Sequence, residues 1–313
     1  MIEEHIHTFP FDRPPRVLHR QEELLLADPL PRPGRTFDFP LIEAVHFDPV
    51  YLPGPFGPPR GVYESDFIRV EWQTMNNRQG FYHRNCDVDE MSYQVCGERT
   101  LITELGSVEH RAGDFSRIPV SVAHDNYGRE DIHLLFYIPA PVEELGEKVR
   151  RSQALFPPFP GWEPVITNEL TTECLGGRVE HHIVMAPTDE KVLLEQVHRD
   201  SDRIRVQRAE QTSWLYRSKE TLLGKAVVES SDGLVYTRNR DADEIHYQIS
   251  GHRTLVTQRG VLELEPGDFV RIPVGVAFTS IHDDRNEYLR LASSRAIPQV
   301  AKSTKQGVKG FSR

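Results

Sequence analysis

Residues 81–97 read FYHRNCDVDEMSYQVCG, and residues 113–126 read GDFSRIPVSVAHDN. The first passage holds two short β-prone runs split by the acidic turn DVD and closed by Gly97. Side chains alternate between the faces of a strand. Phe81, His83 and Asn85 therefore share one face of the first run, and Glu90, Ser92, Gln94 and Cys96 share one face of the second. A hairpin between the runs would set those faces together. His124 follows RIPVSVA by one step and must reach the same place from elsewhere in the module. Two neutral imidazoles and a carboxylate, His83, His124 and Glu90, make the facial donor set that suits non-haem Fe(II) and leaves other positions open. Mn, Ni, Co or Zn accept the same donors.

A second copy of these passages follows at 234–280, LVYTRNRDADEIHYQISGHRTLVTQRGVLELEPGDFVRIPVGVAFTS. It aligns without a gap at an offset of 154 residues (237 − 83), with about half of the positions identical. Asn85 answers to Asn239, Glu90 to Glu244, Gly97 to Gly251, Gly113 to Gly267 and Pro119 to Pro273. His83 answers to Thr237 and His124 to Phe278, and a phenylalanine cannot ligate a metal. What both copies keep (Asp87, Asp89, Tyr93, Gln94, Arg99, Arg117) belongs to the fold of the module. The gain of both histidines marks the first copy, so the expectation is one metal per chain, in the amino-terminal module. His246, two residues past Glu244, is a weaker candidate for rebuilding a site.

Working outward, short strand-like pieces separated by Gly, Asn, Asp and Pro fill 61–140 and 166–296, which points to sandwiches or barrels rather than alternating β and α units. The 23 prolines and 21 glycines fit a turn-rich chain with few helices. Residues 1–60 are proline-rich, and LIEAVHFDPVYLP supplies apolar anchors, so this stretch reads as an arm that wraps the body or a partner subunit. Residues 141–165 read as a linker. PVEELGEKVRRSQALF has helical spacing with acidic residues first and basic ones last, and Pro157, Pro158 and Pro160 follow it. The end, 297–313, is polar, basic and expected to be mobile.

A net charge of −10 argues against nucleic acid as a partner. Cys86, Cys96 and Cys174 are odd in number and have no paired spacing, which suits reduced thiols in the cytoplasm. No run approaches the ~20 apolar residues that cross a membrane, and no apolar signal-peptide core stands at the amino terminus. No phosphate loop, nucleophile elbow or Cys-x-x-Cys pair occurs. Other histidines read as structural. His181 and His182 point to opposite faces, His133 lies in the apolar run DIHLLFYI, and His5 and His7 lie in the arm.

The pattern His-x-Asn, four residues, Glu, six residues, Gly, and later Gly, five residues, Pro, four residues, His resembles the two motifs of the cupin superfamily. The resemblance covers the key segments of both halves and implies an all-β bicupin: two tandem double-stranded β-helix, or jelly-roll, barrels. Asn85 departs from the second histidine of the usual first motif, and Ser121 stands where glycine is usual. The string YHRNC, with its later Glu and His, is similar to homogentisate 1,2-dioxygenase. That resemblance implies His83, Glu90 and His124 as iron ligands and Asn85 as a catalytic neighbour. It further implies Fe(II), O₂ and a small aromatic substrate of the homogentisate, gentisate or hydroquinone kind. DVDE is one residue longer than that family's segment, so Asp89 is the alternative carboxylate, and Glu90 alone keeps the six-residue gap to Gly97. Two other functions stay open: a metal-dependent isomerase or lyase that does not use O₂, and a non-catalytic binding bicupin. The arm and the internal symmetry are compatible with a homo-oligomer, dimer or larger.

Overall fold

The computed structural model describes residues 1–28, 39–55, 57–153, 166–172, 184–189, 191–192 and 204–311. Cys174, His181, His182 and the second half of the 141–165 linker lie outside these residues.

The described chain is nearly all strand. Its amino-terminal stretch forms β1 (Ile2–His7), β2 (Arg16–Arg20), a five-residue helix α1 (Glu22–Leu26) and β3 (Glu43–His46). Then come β4 (Arg60–Glu64), β5 (Arg69–Met75), β6 (Tyr82–Asn85), β7 (Val88–Thr103), β8 (Gly106–Arg111), β9 (Phe115–Ile118) and β10 (His124–Pro139). Short strands follow: β11 (Glu143–Glu144), β12 (Lys148–Arg151), β13 (Ile166–Thr172), β14 (Val184–Asp189) and β15 (Arg205–Gln207). The rest holds β16 (Ser213–Arg217), β17 (Thr221–Val228), β18 (Ser231–Asp232), β19 (Val235–Asn239), β20 (Asp243–Ser250) and β21 (Arg253–Thr257). It ends with β22 (Gly260–Leu264), β23 (Asp268–Ile272), β24 (Ala277–His282), β25 (Asn286–Ser293) and β26 (Lys305–Gln306).

The chain divides into two units, Pro49–Ala209 and Met1–Asp48 with Glu210–Arg313. In the first, one curled sheet runs β12-β15-β9-β7-β10-β6-β13-β14, with β5 and β4 added beside β10 and β8 beside β7. Its backbone is the long antiparallel pair β7–β10, which is irregular near Arg129–Ile132. Gly97 lies at that irregularity with φ +67°, and a Cβ there would stand 2.0 Å from the Glu130 carbonyl oxygen. Only glycine fits. Apolar residues such as Leu101, Val108, Ile118, Ile204 and Val206 form a core cluster of this unit.

In the second unit one sheet runs β2-β1-β19-β24-β21-β22 and another β16-β17-β25-β20-β23-β3-β26. The proline-rich amino-terminal stretch supplies strands to both. β1 pairs in parallel with β19, and β3 pairs with β23. Ile42 and Ala44 pack with Leu255, Val270 and Phe278 in the core, which accounts for the apolar anchors in LIEAV.

Two expectations are corrected. Residues 141–153 are not helical: β11 and β12 occupy them, and β12 is held by backbone pairing to β15. Helical spacing of four apolar residues gave way to a free sheet edge that this segment completes. The carboxy-terminal residues up to 311, expected as a free tail, pair with the fold. β26 pairs with β3, and the Val308 amide and carbonyl bond to Val261.

Candidate metal centre

The centre is assembled on three strands. β6 and β7 do not pair as the expected hairpin; β10 joins them, with His124 opposite His83 on one side and Tyr137 opposite Glu90 on the other. Tyr82 and Val88, both fully buried, anchor the two ends of the crossing between β6 and β7. The ligating atoms of His83, Glu90 and His124 all lie within 4.8 Å of one another. The two imidazole centroids are 3.9 Å apart. Glu90 and His124 are buried, and His83 is partly buried.

Hydrogen bonds sort the donor atoms. His124 Nδ1–H donates to the Val122 carbonyl at 3.0 Å. That fixes the tautomer and leaves the Nε2 lone pair, buried and without a hydrogen-bond partner, 3.3 Å from Glu90 Oε2. The Gln79 amide lies 3.3 Å from His83 Nδ1, and the Asn126 amide lies 3.3 Å from Gln79 Oε1. As placed, the Gln79 amide N–H donates to His83 Nδ1, which leaves the ring proton on Nε2; reversing the Gln79 and Asn126 amides together would put that proton on Nδ1 and free Nε2. Asn85 Nδ2 donates to Glu90 Oε2 at 2.9 Å.

Charge agrees with this arrangement. Burial opposes ionisation of Glu90, yet the neighbouring His124 and His83, with the Asn85 bond, hold its pKa down at about 2. Burial, helped by the nearby His124, pushes His83 down to about 3 and keeps it neutral. Burial disfavours the charged form of His124, but the Glu90 carboxylate beside it raises its pKa. A buried carboxylate between two imidazoles is a place for a cation, which would take the position of the proton that Glu90 favours on His124 Nε2. The donor set fits a divalent first-row metal.

Asp89, the alternative carboxylate, stands outside the group. Its carboxylate accepts from Arg117 Nη1 at 2.9 Å, Val120 N–H at 2.7 Å and Val142 N–H at 2.9 Å. Asp243 does the same work in the repeat, with Arg271, Val274 and Ile297. Asn85 stands beside the group as expected, with its amide committed to orienting Glu90. The same bond recurs at 2.6 Å between Asn239 and Glu244.

The equivalent place in the other unit is filled by an arginine. Arg290 Nε donates to Glu244 Oε1 at 2.7 Å, and His246 Nε2 meets the same oxygen at 2.9 Å. Arg253 in turn bonds His246 Nδ1 at 3.1 Å. His246 therefore joins a salt-bridged network, and its pKa falls to about 4, chiefly through burial. His133 is fully buried, with Nδ1 on Asp131 at 2.8 Å and Nε2 without a partner. Another trio, His46, Glu265 and Asp268, already holds a cation in Lys305, whose Nζ reaches the two carboxylates at 2.6 and 2.7 Å.

Sequence reading missed Gln79, Asn126, Glu71 and Arg290. Asn126 and Gln79 carry no motif of their own. Arg290 lies beyond the ungapped part of the repeat, where the register with β10 shifts; its ladder position beside His246 answers to Leu135 beside Ser92. Glu71 lies beside Leu135 on β5 and therefore faces the same way as Glu90. Burial, reinforced by Glu90 and Glu64, lifts its pKa to about 7, against Arg69 and a hydrogen bond from Tyr137.

No family model matches the chain, and no curated protein matches it either. Solved structures do. A cupin 2 conserved barrel domain protein from Leptotrichia buccalis superposes with a TM-score of 0.50 at 8% identity, over 81% of this chain and 97% of that one. Bacillus subtilis oxalate decarboxylase, studied for its Mn(II) centres, gives 0.45 at 14% identity over 85% and 80%. The protein Ylba from E. coli gives 0.46 at 10% over 89% and 100%. The chain has the cupin fold, in tandem, and carries in one copy a group of side chains able to hold a metal. Among the described residues no helix is long and apolar enough to cross a membrane.

Proposed function

We propose that the chain is an Fe(II)-dependent dioxygenase that opens the ring of a small hydroxylated aromatic compound, of the homogentisate, gentisate or hydroquinone kind. One observation carries the reading: His83, Glu90 and His124 converge with their donor atoms within 4.8 Å, and His124 Nε2 faces the Glu90 carboxylate at 3.3 Å. Sequence adds the YHRNC resemblance. Bound Fe(II) would supply the electron transfer that lets O₂ react with an electron-rich ring. The chain's own residues hold and orient. Val122 and Gln79 fix the two imidazole rings, and Asn85 turns one Glu90 oxygen inward. Tyr137, opposite Glu90 in the ladder, bonds Glu71 and so can pass a proton between that carboxyl and the interior. We further propose that the protein acts as a homo-oligomer in the cytoplasm.

The test is O₂ uptake by iron-loaded protein with catechols, gentisate, homogentisate and hydroquinones. Uptake that depends on one of these and vanishes in His83→Ala and His124→Ala is expected; activity that survives either substitution sinks the reading. Glu71 favours a second reading. A carboxyl that titrates near neutrality beside the centre suits a metal-assisted isomerase or lyase that moves protons without O₂. Equal turnover under argon and air would select it.

A further inference from the structure

The unit built from Met1–Asp48 and Glu210–Arg313 carries a cleft of about 970 Å³, between the β1–β2 loop and the end of β19. Arg13, Arg16, Arg238 and Arg240 line it, against one carboxylate, Asp12. Arg238 is already balanced: its Nε meets Glu4 Oε1 at 2.5 Å, and its Nη1 bonds Gln258 and the Gly275 carbonyl. Arg13, Arg16 and Arg240 are exposed, and none has an ion pair or side-chain hydrogen bond among the described residues. Three uncommitted guanidinium groups thus face one carboxylate, on a chain whose net charge is −10.

The backbone under these arginines is fixed. Phe9 N–H donates to Asp241 Oδ1 at 2.8 Å, Phe11 N–H to Thr8 O at 2.9 Å and Arg240 N–H to His7 O at 2.9 Å. The Phe11 ring stacks on Trp214 with centroids 5.9 Å apart and planes at 21°. Pro10, Pro14 and Pro15 stiffen the same loop. Gathering like charges is unfavourable by itself, and a cleft lined by one sign of charge concentrates small ions of the other. Each guanidinium presents a planar fork that fits a carboxylate or phosphate through two parallel hydrogen bonds. With the backbone already ordered, only side-chain freedom is lost on binding.

We propose that this cleft binds a small, multiply charged anion, a phosphate ester or a polycarboxylate. The inference is independent of the metal centre and stands or falls without it. The experiment is calorimetric titration of pyrophosphate, and separately of citrate, into the metal-free full chain, so that neither probe can act through a bound metal. Saturable binding of at least one probe is expected; which one binds tells phosphate from polycarboxylate. The double variant Arg13→Gln/Arg240→Gln, at two exposed positions, should bind about tenfold more weakly per guanidinium removed. Affinity of the unaltered chain should also fall between about 50 and 500 mM NaCl, a readout that needs no variant. Absence of saturable binding at millimolar probe, an affinity indifferent to salt, or equal binding by the double variant would overturn the proposal. Self-association of the unaltered chain that the double variant abolishes would overturn it too, by showing the cleft to be an interface between copies.

Discussion

The Val122 carbonyl claims the Nδ1–H of His124, and that one bond decides which nitrogen is left to face Glu90. At the other ring the Gln79 amide bonds His83 Nδ1 and holds the imidazole in place. Gln79→Ala should therefore weaken metal binding by about 10–100-fold, the usual cost of losing an outer partner of a ligating histidine, with little change in melting temperature; a chelator titration measures it. At Glu71 the chemistry reads out as stability against pH. Its folded pKa, about 7, lies above the ordinary carboxylate value of 4.5. The folded state thus holds the proton that the unfolded chain releases, and stability falls as pH rises from 4.5 toward 7. Glu71→Gln should raise the melting temperature at pH 8 and leave it nearly unchanged at pH 4. Equal shifts at both pH values would contradict this account of Glu71. Of the residues at the centre, His83, Glu90 and His124 were legible because metal donors are few in kind and their spacing was unusual. Gln79 was not, since a glutamine in a loop has no signature until the fold brings it to a ring.

At the scale of the element, the repeat separates framework from chemistry. Gly97 and Gly251 both have positive φ, and a Cβ at either would stand less than 3 Å from a backbone carbonyl oxygen, so a retained glycine was a readable mark of the strand bend. Asp89 and Asp243 each bind an arginine and two backbone amides across the strand crossing. Asp89→Ala should then cost on the order of 3 kcal/mol, because it strands buried N–H groups, as urea unfolding would show. Glu90→Gln should behave oppositely: small loss of stability, large loss of metal. The six-residue spacing before Gly97 was enough to choose between these neighbours. Pairing was harder to read. β6 and β7 look like a hairpin in sequence, but β10, forty residues on, separates them. The 141–153 segment failed for a related reason: four apolar residues at helical spacing are a weak signal beside an open sheet edge.

Across the whole molecule, one module is used twice with its interior charge balanced in two ways. In one copy two imidazoles leave Glu90 facing a gap between donors; in the other Arg290 supplies the cation to Glu244. Glu244 is fully buried, so Arg290→Leu should destabilise the fold on the order of 2–3 kcal/mol by leaving that carboxylate without its cation. Differential scanning calorimetry should show the loss with metal content unchanged. The cupin architecture and its duplication were legible in the glycine, proline and Asp-x-Asp-Glu spacing shared by the copies. The arginine substitution was not, because it enters after the register of the repeat has shifted. The most direct test of the central claim is metal content in anaerobically purified protein, compared with His83→Ala and His124→Ala. The account predicts about one equivalent of metal per chain in the native protein and almost none in either variant, each still folded. Two equivalents, none, or retention of metal in the variants would contradict it.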